Sequence, residues 1–193
     1  MSAPYFEVVF SYRYKSIHSN FVKDVYSTIF QNGFPYKKPY YAPRFSLEDV
    51  ISWNQKKLEN KFILGGKQDW EKHDYKQILL DREGYEGLRL FWFYRNDEEI
   101  ELVLITSESD VLDDNNKFIP TKITPFIELS KKLWVETDVN IIEAWPEVNA
   151  SRKPFSLMNK NHLQRVQNFK FKNFKFEDLV KEGIILLDKT LLS

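Results

Sequence analysis

The chain has 193 residues, and its 28 basic and 28 acidic side chains cancel to a net charge of zero. Hydrophobic content of 42% with 16% aromatics excludes a largely disordered chain, and the absence of cysteine excludes a disulfide framework and thiolate chemistry. Six glycines and eight prolines leave no room for a long linker, so a single domain spanning 1–193 is expected.

Phe6 to Tyr14 alternates, with Phe6, Val8, Phe10, Tyr12 and Tyr14 on one face and Glu7, Ser11 and Arg13 on the other, which is the period of a first strand. Asn20 is placed to cap a helix in which Phe21, Val25 and Ile29 recur until Asn32-Gly33 ends it. From Phe34 to Phe45 three prolines and three tyrosines, with Lys37, Lys38 and Arg44 among them, predict an extended, ordered loop. Ser46-Leu47-Glu48-Asp49 has capping-box spacing, and Val50, Ile51, Asn54, Leu58 and Phe62 continue a second helical stripe over about 46–62. Lys67 to Tyr75 reads as a charged connector.

Lys76 to Ser107 predicts a three-strand antiparallel meander. Its second strand, Leu88 to Tyr94, is nearly all apolar or aromatic, so both of its faces are expected to be covered. In the third, Ile100, Leu102 and Leu104 should face the core. Ser107 to Lys117 is a polar acidic loop, Pro120 to Trp134 a third helix, and Val139 to Trp145 a further strand stopped by Pro146. The tail offers a short helix from Asn159, an alternating Phe169-Lys170-Phe171-Lys172 tract, a helical turn over Phe176 to Lys181 and a last strand from Ile184. The order predicts an α+β fold, with helices packed on one face of a largely antiparallel sheet around the meander.

Charge is segregated along this order, at +3 over residues 1–75, −8 over 76–150 and +5 over 151–193. Eight carboxylates, Asp97, Glu98, Glu99, Glu101, Glu108, Asp110, Asp113 and Asp114, fall between Asn96 and Asn116 with no lysine or arginine among them. They are the candidate partner-binding residues, for a protein with a basic surface. A solvated face that protects an edge strand is the competing reading. The aromatic loop over Phe34 to Phe45 and the basic tail are the next candidates.

No catalytic residues and no cofactor can be assigned. His18, His73 and His162 belong to no metal-ligand pattern, the acidic loop lacks calcium-loop spacing and its central glycine, and P-loop, G-x-S-x-G and G-x-G-x-x-G motifs are absent. An enzyme would have to assemble its site from scattered residues such as His73, Trp92 and Glu143. The Phe/Lys tract from Phe169 to Phe176, with Lys160, His162 and Arg165 upstream, could stack bases and contact phosphates. An ordinary strand explains it better, because a neutral chain lacks the basic footprint of a nucleic-acid binder. No run approaches the roughly 18–20 apolar residues that span a bilayer. The N-terminus, Met1 to Tyr5, lacks the basic and apolar regions of a signal peptide, so cytoplasmic residence without membrane contact is expected. Oligomeric state is left open.

The proline-led helix ending in Leu133-Trp134, with Pro125-Phe126-Ile127-Glu128-Leu129 inside it, the strand after it, and the segment Leu179-Val180-Lys181-Glu182-Gly183-Ile184-Ile185 together cover about the second half of the chain. This half resembles immunity proteins of bacterial polymorphic toxin systems, the immunity protein 52 group in particular. The resemblance implies a non-enzymatic inhibitor that binds a cognate toxin directly, and it carries over no binding residues.

Overall fold

The structure is a computed structural model that describes residues 4–114, 118–146 and 155–159. The elements are β1 (Tyr5–Arg13), α1 (Phe21–Gln31), β2 (Tyr36–Pro39), α2 (Leu47–Glu59), the one-turn α3 (Trp70–His73), β3 (Ile78–Leu80), β4 (Arg89–Tyr94), β5 (Glu99–Ser107), α4 (Pro120–Glu136), β6 (Val139–Pro146) and β7 (Phe155–Asn159). The strands form one antiparallel sheet in the order β2-β3-β4-β5-β1-β6-β7. The α+β class and the meander β3-β4-β5 are as the sequence predicts. The strand at the middle is β5, the last of the meander, and β1 enters beside it from the start of the chain.

Pairing register explains which residues form the core. Phe10 lies opposite Leu102 on one side and Ile142 on the other, Val8 opposite Leu104 and Ala144, and Tyr12 opposite Ile100 and Val139. Leu102 and Leu104 continue the rows to Trp92 and Leu90 of β4, and Leu90 to Ile78 of β3. Because successive side chains alternate between faces, these rows make one apolar surface, and nearly every residue in them is fully buried. β5 and β6 run parallel to each other on either side of β1, and α4 carries the chain from one to the other.

Among the described residues α1, α2 and α4 sit on this face, with α1 touching both α2 and α4. Phe21, Val22, Val25, Tyr26 and Ile29 bury the inner stripe of α1. Trp92 is held by two of these and by Tyr12 of β1: its ring lies 5.5 Å from Phe21, 6.0 Å from Tyr12 and 6.2 Å from Tyr26 in a stacked arrangement. Burial pushes the Tyr12 and Tyr26 hydroxyls above the usual phenol range, partly offset by hydrogen bonds with Thr137 and Asn54.

Polar bonds then fix the helices to the sheet. Asn54, fully buried on α2, donates to the Lys76 carbonyl at 2.8 Å and accepts the Lys76 N–H at 2.8 Å, so it acts as one more rung beside β3. Gln55 accepts the Val22 N–H at 3.0 Å and donates to the His18 carbonyl at 2.8 Å. It therefore satisfies a free donor in the first turn of α1, a task that the sequence assigns to Asn20, whose side chain makes no capping bond. The Ser46 and Asp49 capping box forms as predicted, and its hydrogen bonds lower the Asp49 pKa. Gly33 ends α1 at φ 88°, and a Cβ there would also meet the Arg82 guanidinium, which donates to the Gly33 carbonyl at 2.6 Å.

Three expectations need correction. The segment from Phe34 to Phe45 contains the edge strand β2, since its prolines fall where an edge tolerates a missing donor. The connector contains α3, capped by Asp69, which accepts the Glu71 N–H. Finally, β4 is not covered on both faces: the helices take Leu90 and Trp92, while Phe91 is half-buried and Phe93 exposed on the opposite side. The expected helix from Asn159, the Phe/Lys tract and the last strand lie outside the described residues.

Trp92→Ala is expected to cost about 3–5 kcal/mol in urea unfolding, as for other buried large aromatics, whereas Phe93→Ala should change stability by less than about 1 kcal/mol. Equal losses would place both side chains in the core. In the same assay Gln55→Ala should cost about 1–3 kcal/mol, because it strands a buried N–H, and Asn20→Ala less than about 0.5 kcal/mol.

Candidate functional site

The eight candidate carboxylates do not form one surface. Asp97, Glu98, Glu99 and Glu101 lie at or beside the β4–β5 turn, whereas Glu108, Asp110, Asp113 and Asp114 follow the far end of β5. Along β5 the stretch from Glu101 to Glu108 separates the groups by about 24 Å at a rise of ~3.4 Å per residue. Several already have partners. Asp97 pairs with Lys61 at 2.7 Å and accepts the Tyr94 hydroxyl at 2.6 Å, so its pKa is lowered, first by the Lys61 bond, and the Tyr94 hydroxyl is pushed up to about 12. Asp110 accepts from Thr106 and from the Glu86 N–H, where it ties two loops, and Glu108 is buried. Glu98 and Glu99 line a cleft of ≈ 460 Å³ with Arg13, Lys15 and Asp97, so positive charge is mixed with the acid there.

Titratable groups elsewhere do not converge on a reacting centre. Trp92 is in the core, His73 is exposed on α3 with its ring against the Asp69 carbonyl, and Glu143 lies in β6. His18 stands 3.8 Å from Asp24. Lys76 is buried over the Trp53 and Phe45 rings, and desolvation lowers its pKa against the pull of Asp74. Burial raises the Asp74 pKa in turn. This group holds α2 against the α3–β3 segment, with the Trp53 indole N–H donating to the Asp74 carbonyl at 2.9 Å. Among the described residues no cluster of three or more histidines and carboxylates could hold a metal ion, and no helix is long and apolar enough to cross a membrane.

The sheet face turned away from the helices carries a different constellation. Val9, Val103 and Ile105, each 3% exposed, form a small second apolar cluster with Tyr5 and Phe91. On β4 the outward positions are Arg89, Phe91 and Phe93, with Arg95 just beyond the strand end. The Phe91 and Phe93 rings meet edge to face at 5.3 Å, the Arg95 guanidinium lies 5.3 Å over Phe93, and that of Arg89 lies 5.9 Å over Phe91, 5.4 Å over Tyr5 and 4.8 Å over Tyr40. From Tyr40, just after β2, the rings continue to Tyr41 at 4.1 Å and from Tyr41 to Trp70 of α3 at 5.6 Å. The Tyr40 pKa is raised, first by its hydrogen bond with Tyr41 and next by burial, while Arg89 pulls it down.

An aromatic and arginine array thus runs without a break from the β4–β5 turn to the β2 edge. Its outer members are unusually open for large apolar residues, with Tyr41 61%, Trp70 47% and Phe93 39% exposed. Tyr41 also adopts φ 51°, a left-handed conformation that disfavours a residue with a Cβ. The sequence singles out only one part of the array, the tyrosines of the Phe34 to Phe45 segment. Arg89, Phe91, Phe93 and Trp70 read locally as strand and connector, and only the sheet brings them together.

Arg95 is neutralised within this face, since it donates to Glu101 at 2.6 Å. Desolvation raises the Glu101 pKa, and Arg95 opposes the rise. Because the folded carboxyl holds its proton to higher pH than the unfolded one, near 4.3, Glu101 costs stability as pH rises from that value through the folded pKa. Wild type should lose stability relative to Glu101→Gln across this window in urea unfolding at stepped pH. A difference that changes in the opposite sense would mean that the Arg95 pair outweighs the burial. No family model, curated protein or solved structure matches this chain.

Proposed function

We propose that this chain is a non-enzymatic binding protein that engages a protein partner through its outer sheet face, and that the partner is a bacterial toxin domain which it neutralises by direct contact. The observation that carries the binding reading is the exposed aromatic and arginine array ending in Tyr41 and Trp70. Tyrosine, tryptophan and arginine dominate the energetics of protein interfaces, because they bury large areas at low entropic cost while keeping a polar handle. Exposed rings already packed edge to edge add preorganisation, which reduces the ordering cost of association. The toxin assignment is supported by the resemblance of the second half of the chain to immunity proteins. The acidic residues beside the β4–β5 turn border the same sheet and would influence association rate more than affinity.

The test starts from the reading frames that adjoin the gene of this chain: any toxin domain they encode is co-expressed with it, scored by growth rescue and by affinity of the purified pair. Rescue by wild type is expected, with Tyr41→Ala and Trp70→Ala each weakening binding at least tenfold while the fold is retained. Rescue untouched by either variant would move the interface elsewhere. An adjoining toxin domain that neither binds nor is neutralised would contradict the toxin assignment.

A further inference from the structure

Arg89 differs from the other arginine of the array. Arg95 has a carboxylate partner, whereas no carboxylate lies within ion-pair distance of Arg89 among the described residues. Its cross-strand neighbours are Leu79 and Ile105, both apolar. Arg89 is half-buried, and its guanidinium is ringed by Tyr5, Tyr40 and Phe91 and hydrogen-bonded with Tyr40, one partner for a planar fork of five N–H donors. A cation oriented by rings in this way gains most from a planar anion that accepts two parallel hydrogen bonds.

We propose that Arg89 is the recognition point for a carboxylate side chain of the partner protein, presented next to an apolar or aromatic residue that packs on Tyr41 and Trp70. This proposal rests on the reading of the outer face as a protein-binding surface. Charge complementarity selects the occupant. The uncompensated charge calls for an anion, and the aromatic surround raises the strength of a bidentate pair by excluding water. A single carboxylate is favoured over a polyphosphate backbone, because Arg95, the other arginine of this array, is already paired with Glu101 and Arg89 is left as one fork.

The probe is the pentapeptide Ac-GFEFG-amide, titrated into the full chain while the Arg89 side-chain Nε–H and Trp70 indole N–H resonances are followed by NMR. Its counterpart Ac-GFQFG-amide and a short oligothymidylate are titrated in parallel. Saturable shifts of both resonances with the acidic peptide are expected, with at least tenfold weaker binding of the glutamine peptide and of the acidic peptide to Arg89→Lys, which keeps the charge and loses the fork. Equal affinity for the two peptides, an unchanged Arg89→Lys, preferential binding of the oligothymidylate, or no shift would each overturn the proposal. Toxin rescue that survives Arg89→Lys would remove the carboxylate site and leave the binding reading standing. Selective binding of the acidic peptide without toxin rescue would keep the carboxylate site and contradict the toxin assignment alone.

Discussion

The fold depends on the placement of β1 between β5 and β6. A strand from the start of the chain pairs along its length with two strands that come more than eighty residues later, and each of its inward residues meets a neighbour on both sides. Slipping that register by one residue would turn Phe6, Val8, Phe10 and Tyr12 out of the core and bring Glu7 and Ser11 into it. The helices follow from this row. Phe21 and Tyr26 of α1 close over Tyr12 and Trp92, Gln55 ties α2 to the start of α1, and α4 spans β1 to join its two neighbours.

Among the described residues α1, α2 and α4 cover one face of the sheet, and the other carries the small buried cluster of Val9, Val103 and Ile105. Edge protection is visible at β2, where Lys37 and Lys38 and the final Pro39 discourage further strand pairing. Beyond the apolar cluster runs the array from Arg95 to Trp70, built on β4 and extended by Tyr40 and Tyr41. Its strained Tyr41 backbone, and an Arg89 with no ion pair among the described residues, are the kind of local cost that a structure carries at a site of contact.

Elements governed by local chemistry were legible in the sequence. The alternation of β1, the capping box of α2 and the glycine stop of α1 each need only neighbouring residues. The edge strand β2 was hidden because prolines at both of its ends look like loop, and its pairing with β3 is a long-range fact. The cap on α1 comes from Gln55, thirty-three residues away from Val22, beyond any local pattern. For the candidate site, nearness in sequence is not nearness in space. The eight carboxylates are close in sequence but spread from one end of β5 to the other, whereas Tyr41, Trp70 and Arg89 are far apart in sequence and joined through ring contacts across the sheet. Phe91 and Phe93 read as core because a strand of aromatics gives no sign of which face the helices will take.

We propose that the outer sheet face, rather than the helical layer or the acidic turn, meets the partner. The direct test is hydrogen–deuterium exchange of the chain, free and saturated with a toxin domain that it is found to neutralise. Added protection should concentrate in residues 38–41, 69–73 and 89–95. Protection confined to α1, α2 and α4, or to residues 97–101 and 108–114, with 38–41 and 69–73 unchanged, would contradict it.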